Sequence, residues 1–137
     1  MNIAKFLLLI SLVSFIACSS DDEDGIAGSW TLSSLDLDCR SEPNLSQTLN
    51  STNGCFTLDD EEICIRITFY DNGVGSLDFS INGTGEISDF SYTMNTSETE
   101  VEVCNNNECS IFGIRGERLL LIDSLEGCDA VYSFERQ

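Results

Sequence analysis

The stretch that decides the fold is residues 63–85, which read ICIRITFYDNGVGSLDFSINGTG. Isoleucine or phenylalanine occupies every second position from 63 to 69, and the positions between them are Cys64, Arg66 and Thr68. A period of two is the pattern of a half-buried β-strand, because successive side chains point to opposite faces. The turn sequences DNG at 71–73 and NGTG at 82–85 flank a second alternating segment. This stretch therefore predicts antiparallel strands joined by tight turns.

The same pattern continues along the chain from Gly28 onward. Short alternating segments are separated by turn residues, and no segment has a convincing helical period. The predicted strands cover residues 28–38, 63–70, 77–81, 90–94, 101–103, 109–115, 118–123 and 128–136. About eight short strands joined in order favour an all-β fold, an antiparallel up-and-down β-barrel over residues 27–137. Closure of the barrel would also remove the edge strands that invite aggregation.

Three irregularities in this pattern lead to local expectations. The apolar parity of the first strand shifts at Ser33-Ser34, as it does at a β-bulge. Residues 40–54 are polar and contain the single proline of the chain, so we expect a loop there. Residues 119–122 are apolar at every position, so we expect both faces of that strand to be covered.

The composition argues against several classes of function. The 137 residues include 24 acidic and 6 basic side chains, for a net charge of −18, and no histidine. Phosphate binding depends on Lys and Arg, so nucleic acid is not an expected partner. The absence of histidine removes the usual general base and the commonest metal ligand. We therefore expect a protein that is not an enzyme and that has no cofactor and no specific metal site.

Two acidic clusters are the candidates for a calcium site. They are Asp36 with Asp38, and residues 59–62, which read DDEE. Neither has the spacing of an EF-hand loop. We expect both to be solvated charge runs, as acidic turns usually are, that screen divalent cations only loosely.

Residues 1–17 have the pattern of a bacterial export signal. Lys5 precedes an apolar run over residues 6–17 that is too short for a membrane-spanning helix. The run ends in Phe-Ile-Ala and is followed by Cys18, which resembles the lipobox of bacterial lipoproteins. In that family the cysteine receives diacylglycerol and the signal peptide is cut off in front of it. We therefore expect Cys18 to be the lipid anchor. The alternative is an ordinary secretory signal that leaves Cys18 as a free thiol.

Residues 18–26 form the expected acidic tether. Positions 19–24 read SSDDED and contain no apolar side chain that could pack. The run is similar to the lipoprotein export signal of Bacteroidetes, which routes lipoproteins to the outer face of the outer membrane. This similarity implies a lipid-anchored outer-membrane protein exposed at the cell surface. A periplasm-facing protein remains the alternative.

Besides Cys18, the chain contains six cysteines. Outside the cytoplasm an even set predicts disulfides. Two spacings favour hairpin bridges, one across four polar residues and one across an acidic segment, and the third pair follows by elimination. The expected pairs are Cys104 with Cys109, Cys55 with Cys64, and Cys39 with Cys128. A zinc site is the alternative, but it is disfavoured because no C-x-x-C spacing and no histidine are present.

The segment Gly28-Ser29-Trp30 begins the first predicted strand, and an aromatic strand at 131–136 ends the chain. Together with the lipobox and the acidic tether, these features resemble the lipocalin-like domains of Bacteroidetes lipoproteins. The resemblance implies that Trp30 closes one end of the barrel beneath an arginine, either Arg136 or Arg118. It also implies that residues 40–54 correspond to the lid-like first loop of lipocalins.

Two functions remain open from the sequence. The first is a carrier or sensor for a small apolar ligand, which would lie in a lumen lined by Trp30, Ile67, Phe69, Phe79, Tyr92 and Phe134. The second is a structural or interaction module in which the same residues fill a dry core and the loops bind a protein or glycan. In both cases we expect a monomer. Ser124, in Asp-Ser-Leu, resembles the O-glycosylation motif of Bacteroidetes.

Overall fold

The computed structural model describes residues 25–125 and 127–137 of the chain. The predicted signal peptide, the Cys18 anchor and the acidic residues 21–24 of the tether lie outside the described residues. The described part forms ten β-strands and one short 3-10 helix (Pro43–Leu45), and it contains no α-helix. No helix in this part of the chain is long and apolar enough to cross a membrane.

All ten strands are antiparallel to their neighbours. They are β1 (Gly28–Asp38), β2 (Gln47–Asn50), β3 (Cys55–Leu58), β4 (Glu61–Phe69), β5 (Val74–Ile81), β6 (Thr84–Met94), β7 (Glu100–Asn105), β8 (Glu108–Arg115), β9 (Arg118–Leu125) and β10 (Cys128–Arg136).

The first strand closes the sheet into a barrel because it pairs on both sides. On one side β1 pairs with β10, from Trp30 opposite Arg136 to Asp38 opposite Asp129. On the other side its first residues pair with the end of β4, from Gly28 opposite Phe69 onward. Strands β4 to β10 pair in chain order between these two contacts. The predicted all-β, up-and-down, eight-stranded barrel is therefore confirmed, and β2 and β3 are added to it.

One of the two additional strands, β2, lies within residues 40–54 and corrects the expectation of a loop there, and β3 follows directly after this segment. Pairing between β1 and β4 ends at Thr31 opposite Arg66. Beyond that point β2 pairs with residues 34–37 of β1, and β3 pairs with residues 61–64 of β4. Polar strands at a sheet edge lack the apolar alternation of a half-buried strand, which is why the sequence pattern missed β2.

The predicted bulge in β1 is present. The register with β10 shifts between Leu32 and Ser34. The Ser33 hydroxyl donates a hydrogen bond to the Ser133 carbonyl oxygen at 2.9 Å. The Ser51 hydroxyl donates to the Leu32 carbonyl oxygen. Side-chain oxygens thus support the backbone on both sides of the irregularity.

Tight turns join most neighbouring strands. Asn82 and Gly83 both have positive φ, 52° and 76°, as a two-residue hairpin turn between strands with the usual twist requires. Asn106 and Asn107 also have positive φ and form the turn between β7 and β8. This turn is shorter than the four-residue loop expected from the sequence, because Asn105 and Glu108 belong to the strands.

Residues 25–125 and 127–137 contain three disulfides, and they are the pairs expected from the sequence. Cys55–Cys64 and Cys104–Cys109 each join residues directly opposite each other on neighbouring strands. Cys39–Cys128 follows the last β1–β10 pair and spans a sequence separation of 89 residues. Chain-entropy arguments give this bridge about 4.6 kcal/mol, against about 2 kcal/mol for the 5-residue separation of Cys104–Cys109. The long bridge therefore constrains the unfolded chain most.

The two ends of the barrel differ. The turns after β4, β6 and β8 lie at the end that contains Trp30 and is called here the Trp30 end. The turns after β3, β5, β7 and β9 lie at the opposite end, close to all three bridges, which is called the disulfide end. The largest fully buried side chains are Trp30, Phe69, Phe134, Leu32, Leu119 and Val101.

Gly75 tests the packing of this core. It lies opposite Phe90 on β6 and Phe69 on β4, and a Cβ atom there would clash with the Phe90 ring and the Thr68 carbonyl oxygen. Because a backbone atom blocks the space, we expect Gly75→Ala to lower the free energy of unfolding by about 2 kcal/mol. Chemical denaturation measures this change.

Gly113 provides the matched control. It also lies in a strand, and no atom stands within 4 Å of a Cβ built on it. We expect Gly113→Ala to change stability by less than about 0.5 kcal/mol. Equal effects of the two substitutions would contradict the packing described for Gly75.

Candidate functional site

The six side chains predicted to line a lumen all lie on the inner face of the barrel. Trp30 is paired with Ile67, which places both on the same face. Trp30, Ile67, Phe69 and Phe134 are buried, whereas Phe79 and Tyr92 are half-buried. The inward orientation follows from strand parity, as expected from the sequence.

The aromatic side chains of this inner face pack against one another. The Phe69 ring makes edge-to-face contacts with Phe90 and Tyr92, at centroid distances of 5.3 and 5.0 Å. Phe112 and Phe134 form a tilted pair at 6.2 Å. Such pairs contribute about 0.5–1.5 kcal/mol beyond the burial of their area. Aromatic side chains from four strands therefore pack together inside the barrel.

Two contacts hold the Trp30 side chain at its end of the barrel. Its indole N–H donates to the Ile26 carbonyl oxygen at 2.9 Å. The Arg136 guanidinium carbon lies 4.8 Å from the centroid of the indole ring, a cation–π distance. Arg136 also donates to the Gly25 carbonyl oxygen, so it holds the segment that leads into β1. Arg118 instead pairs with Glu135 at 3.6 Å, which settles the choice between the two arginines.

A cleft of about 430 Å³ opens beside Trp30 at this end. Met94 and Ile114 supply its apolar part, and Glu98, Glu117 and Arg136 supply its charges. The segment that contains Gly25 and Ile26 also borders the cleft, and the Ile26 side chain is buried. The cleft therefore lies where the N-terminal segment enters the barrel.

The inner face is less covered toward the disulfide end. Several inward-facing apolar side chains there are only half-buried, namely Leu37, Ile63, Phe79, Val103, Leu121 and Tyr132. Two carboxylates, Glu86 and Asp123, share their strand parity and are exposed. This end therefore combines apolar walls with negative charge.

Two tyrosines on the inner face have raised pKa values. Burial raises the pKa of Tyr132, and the nearby Asp123 carboxylate raises it further. Burial also raises the pKa of Tyr92, with a smaller contribution from Asp71. The Tyr92 hydroxyl donates to the Tyr70 carbonyl oxygen. Both phenols are therefore held in their neutral form.

The outer face of β8 and β9 carries exposed apolar side chains. Ile111 is 58% exposed and Ile122 is 73% exposed. The expectation that both faces of residues 119–122 are covered is therefore wrong for the described part of the chain. Leu119 is buried inside the barrel, but the alternate position Ile122 points outward with no described element over it.

A second cleft, of about 540 Å³, lies between β6 and the β7–β8 turn. Val74, Phe90, Cys104 and Asn106 are among the residues that line it. Sequence reasoning missed this cleft because it forms where two paired strands separate. Alternation along each strand carries no signal for such a separation.

The candidate metal ligands do not form a competent site with the disulfides in place. Two groups of side chains have clustered ligand atoms: Cys55, Glu62 and Cys64 in one group, and Glu102, Cys104 and Cys109 in the other. In each group the two sulfur atoms are bonded to each other, so one carboxylate remains. Residues 59–62 lie at the exposed β3–β4 turn, and Asp36 accepts a hydrogen bond from Thr48. Ser124 is exposed on β9.

Comparison with known proteins gives no match: no protein-family model fits the sequence, and neither a curated protein nor a solved structure is significantly similar to it.

The electrostatic effect of Asp123 on the pKa of Tyr132 leads to a pH prediction. We expect Asp123→Asn to lower the pKa of Tyr132 toward the ordinary value of about 10, because the nearby negative charge is removed while burial remains. Ultraviolet titration of the phenols measures the shift, and Tyr132→Phe assigns the signal. Asp60→Asn, at an exposed turn, is the control and should leave the titration unchanged.

The same shift affects stability at alkaline pH. Because the pKa of Tyr132 is raised in the folded protein, its neutral phenol contributes to the free energy of unfolding. This contribution is fully present below about pH 10, the ordinary pKa of tyrosine, and it is lost as the pH rises through the folded-state pKa. Asp123→Asn should therefore reduce the alkaline loss of stability. An unchanged phenol titration in this variant would show that Asp123 does not act on Tyr132.

Proposed function

We propose that this protein is an exported bacterial lipoprotein, anchored through Cys18, whose barrel binds a protein partner through its outer surface. One observation carries the proposal: the side chains expected to line a ligand cavity pack against one another in the core. Trp30, Phe69 and Phe134 are each 2% exposed. A small barrel has an interior just wide enough for its own side chains, which leaves the surface as the place for recognition.

The cysteines support export and anchoring. Six of them pair with one another in the structure, and such bridges persist in oxidising compartments. The seventh, Cys18, has no remaining partner among these six and follows the lipobox-like sequence. The acidic residues 19–24 resemble the Bacteroidetes export signal, which favours an outer-membrane protein exposed at the cell surface.

The side chains left after export favour binding over catalysis. After removal of residues 1–17 the chain has neither histidine nor lysine, and its six remaining paired cysteines cannot act as nucleophiles while oxidised. Exposed apolar side chains, Ile111 and Ile122 on β8 and β9, are the kind of surface that proteins use to associate.

A small apolar ligand is the second candidate. It is favoured by the half-buried apolar side chains at the disulfide end, among them Ile63, Phe79 and Val103. A ligand there would lie against these walls, above the packed aromatic core, and not deep in the barrel. This candidate retains the lipocalin-like binding mode that the sequence resemblance implies.

Native mass spectrometry separates the two functions. The purified protein is incubated with an outer-membrane lipid extract, and we expect it to keep its unliganded mass. Excess fatty acid should leave its Tm unchanged, because a molecule that does not bind the folded protein cannot stabilise it. Retention of one apolar molecule, together with a raised Tm, would instead support the carrier. In that case Phe79→Asp should abolish the retention.

Lipid labelling tests the anchor. We expect cells fed an alkyne-tagged fatty acid to label the protein, Cys18→Ala to lose the label, and the neighbouring Ser19→Ala to keep it. Protease treatment of intact cells should then degrade the barrel if it faces outward. Labelling that survives Cys18→Ala would reject the anchor, and full protection from protease would place the protein on the periplasmic side.

A further inference from the structure

Strand β6 has a free edge over half of its length. It pairs with β5 from Thr84 to Ser91, but with β7 only from Ser91 to Met94. Residues 85–90 therefore have β5 on one side and, among the described residues, no strand on the other. This segment is called here the β6 edge.

The hydrogen-bonding groups of the β6 edge can be assigned from the ladder. The two-residue turn at Asn82-Gly83 makes Ile81 and Thr84 a hydrogen-bonded pair, so even-numbered residues of β6 bond to β5. Two backbone hydrogen bonds agree with this alternation. The Tyr92 N–H donates to the Gly73 carbonyl oxygen at 2.9 Å, on the β5 side, and the Asn95 N–H donates to the Glu100 carbonyl oxygen at 3.0 Å, on the β7 side.

Odd-numbered residues therefore direct their backbone groups away from β5. Ser91 uses them to pair with Cys104 of β7. Gly85, Ile87 and Asp89 have no such strand, and no described residue bonds to their outward N–H and C=O groups. Three consecutive outward-facing residues offer six hydrogen-bonding groups in the spacing that an extended peptide matches.

The β6 edge is more open than the other strand edges of the sheet. The outer strands β2 and β3 have four residues each, and very short edge strands are one way in which proteins prevent unwanted pairing. The β6 edge contains no proline, and its pairing with β5 has no bulge. Ile87 is 70% exposed on the outer face. The cleft of about 540 Å³ begins where this edge leaves β7 at Phe90 and Ser91.

The charges around the β6 edge determine which strand can bind. Glu86 and Asp89 lie on the edge and are exposed, and Asp78 lies opposite Ile87 on β5. The nearest arginine in the ladder is Arg66 on β4, two strands away from the edge. Like charges facing each other across a sheet are destabilising. The edge therefore disfavours acidic strands, including other copies of this chain with its charge of −18, and favours Lys- or Arg-containing ones.

We propose that the β6 edge binds an extended, positively charged segment of a partner protein as an additional β-strand. This inference rests on the proposed surface-binding function and assigns it a location and a partner chemistry. Backbone bonds to Gly85, Ile87 and Asp89 hold the segment, and its basic side chains lie against Glu86 on the inner face. An apolar side chain of the segment covers Ile87.

The position of the edge suits an anchored protein. Gly25, the first described residue, is bound by Arg136 at the Trp30 end. The β6 edge runs toward the β5–β6 turn at the disulfide end. If Cys18 carries the lipid, the edge lies at the end of the barrel that is farther from the anchor and accessible to a partner.

Designed peptides test the proposal on the full chain carrying Cys18→Ala. This substitution removes the proposed lipid attachment site, so that the anchor does not require detergent. One probe is an eight-residue peptide of alternating valine and lysine, and its control alternates valine and glutamate. We expect the lysine peptide to slow hydrogen exchange at the Gly85, Ile87 and Asp89 amides, and the glutamate peptide to leave them unchanged. A lysine peptide N-methylated at alternate residues should lose the effect, because it cannot complete the ladder.

Matched variants locate the contact. Ile87→Pro removes an amide that points away from β5, so the β5–β6 bonds remain, and we expect peptide affinity to fall at least about fivefold. Ile87→Thr keeps the amide and should stay within about twofold. Glu86→Gln, which disturbs no backbone group, should weaken the lysine peptide and reduce its salt dependence.

Three outcomes would overturn the proposal: no protection of these amides at millimolar lysine peptide, equal binding of the glutamate peptide, or equal effects of Ile87→Pro and Ile87→Thr. If the peptide fails while native mass spectrometry finds no apolar ligand, the β6 edge is excluded and surface binding elsewhere stands. If an apolar ligand is retained, the surface-binding function itself fails.

Discussion

The pairing of β1 with both β10 and β4 is the constraint on which the rest of the structure depends. It turns a sheet into a barrel, and a barrel directs every second side chain of eight strands into one narrow space. Trp30 lies at this junction, opposite Arg136 on one neighbour and Ile67 on the other. The contact with β4 covers only residues 28–31, so closure is complete at the Trp30 end and incomplete beyond it.

The two ends of the barrel follow from that short contact. At the Trp30 end, strands from both sides meet and bury the largest side chains. Toward the other end β1 and β4 separate, and β2 and β3 occupy the space between them. On the far side of the barrel β6 and β7 also separate, since residues 85–90, which precede Ser91, have no partner on β7. Cys39–Cys128 and Cys104–Cys109 join strands at this looser end, where covalent links compensate for incomplete packing and for the self-repulsion of an acidic chain.

Much of this architecture could be predicted from the sequence, because alternation and turn chemistry are local. The bounds of β1 and β10, the bulge at Ser33 and the turn at Asn82-Gly83 all follow from neighbouring residues. Whether Phe69 and Phe134 line a cavity or fill a core depends on the width of the closed barrel, which no local pattern records. The exposure of Ile122 and the divergence of β6 from β7 depend on what lies beside each strand. Cross-strand register between separated elements leaves no signal in a single sequence.

The central claim is that the barrel is filled by its own side chains, so that recognition takes place on its surface. Xenon binding tests this most directly, because xenon enters dry apolar cavities that are too small for larger ligands. Methyl and aromatic resonances recorded under xenon pressure should show no saturable shift for residues around Trp30, Phe69 and Phe134. A saturable xenon site among these three side chains would reveal an interior cavity and contradict the account.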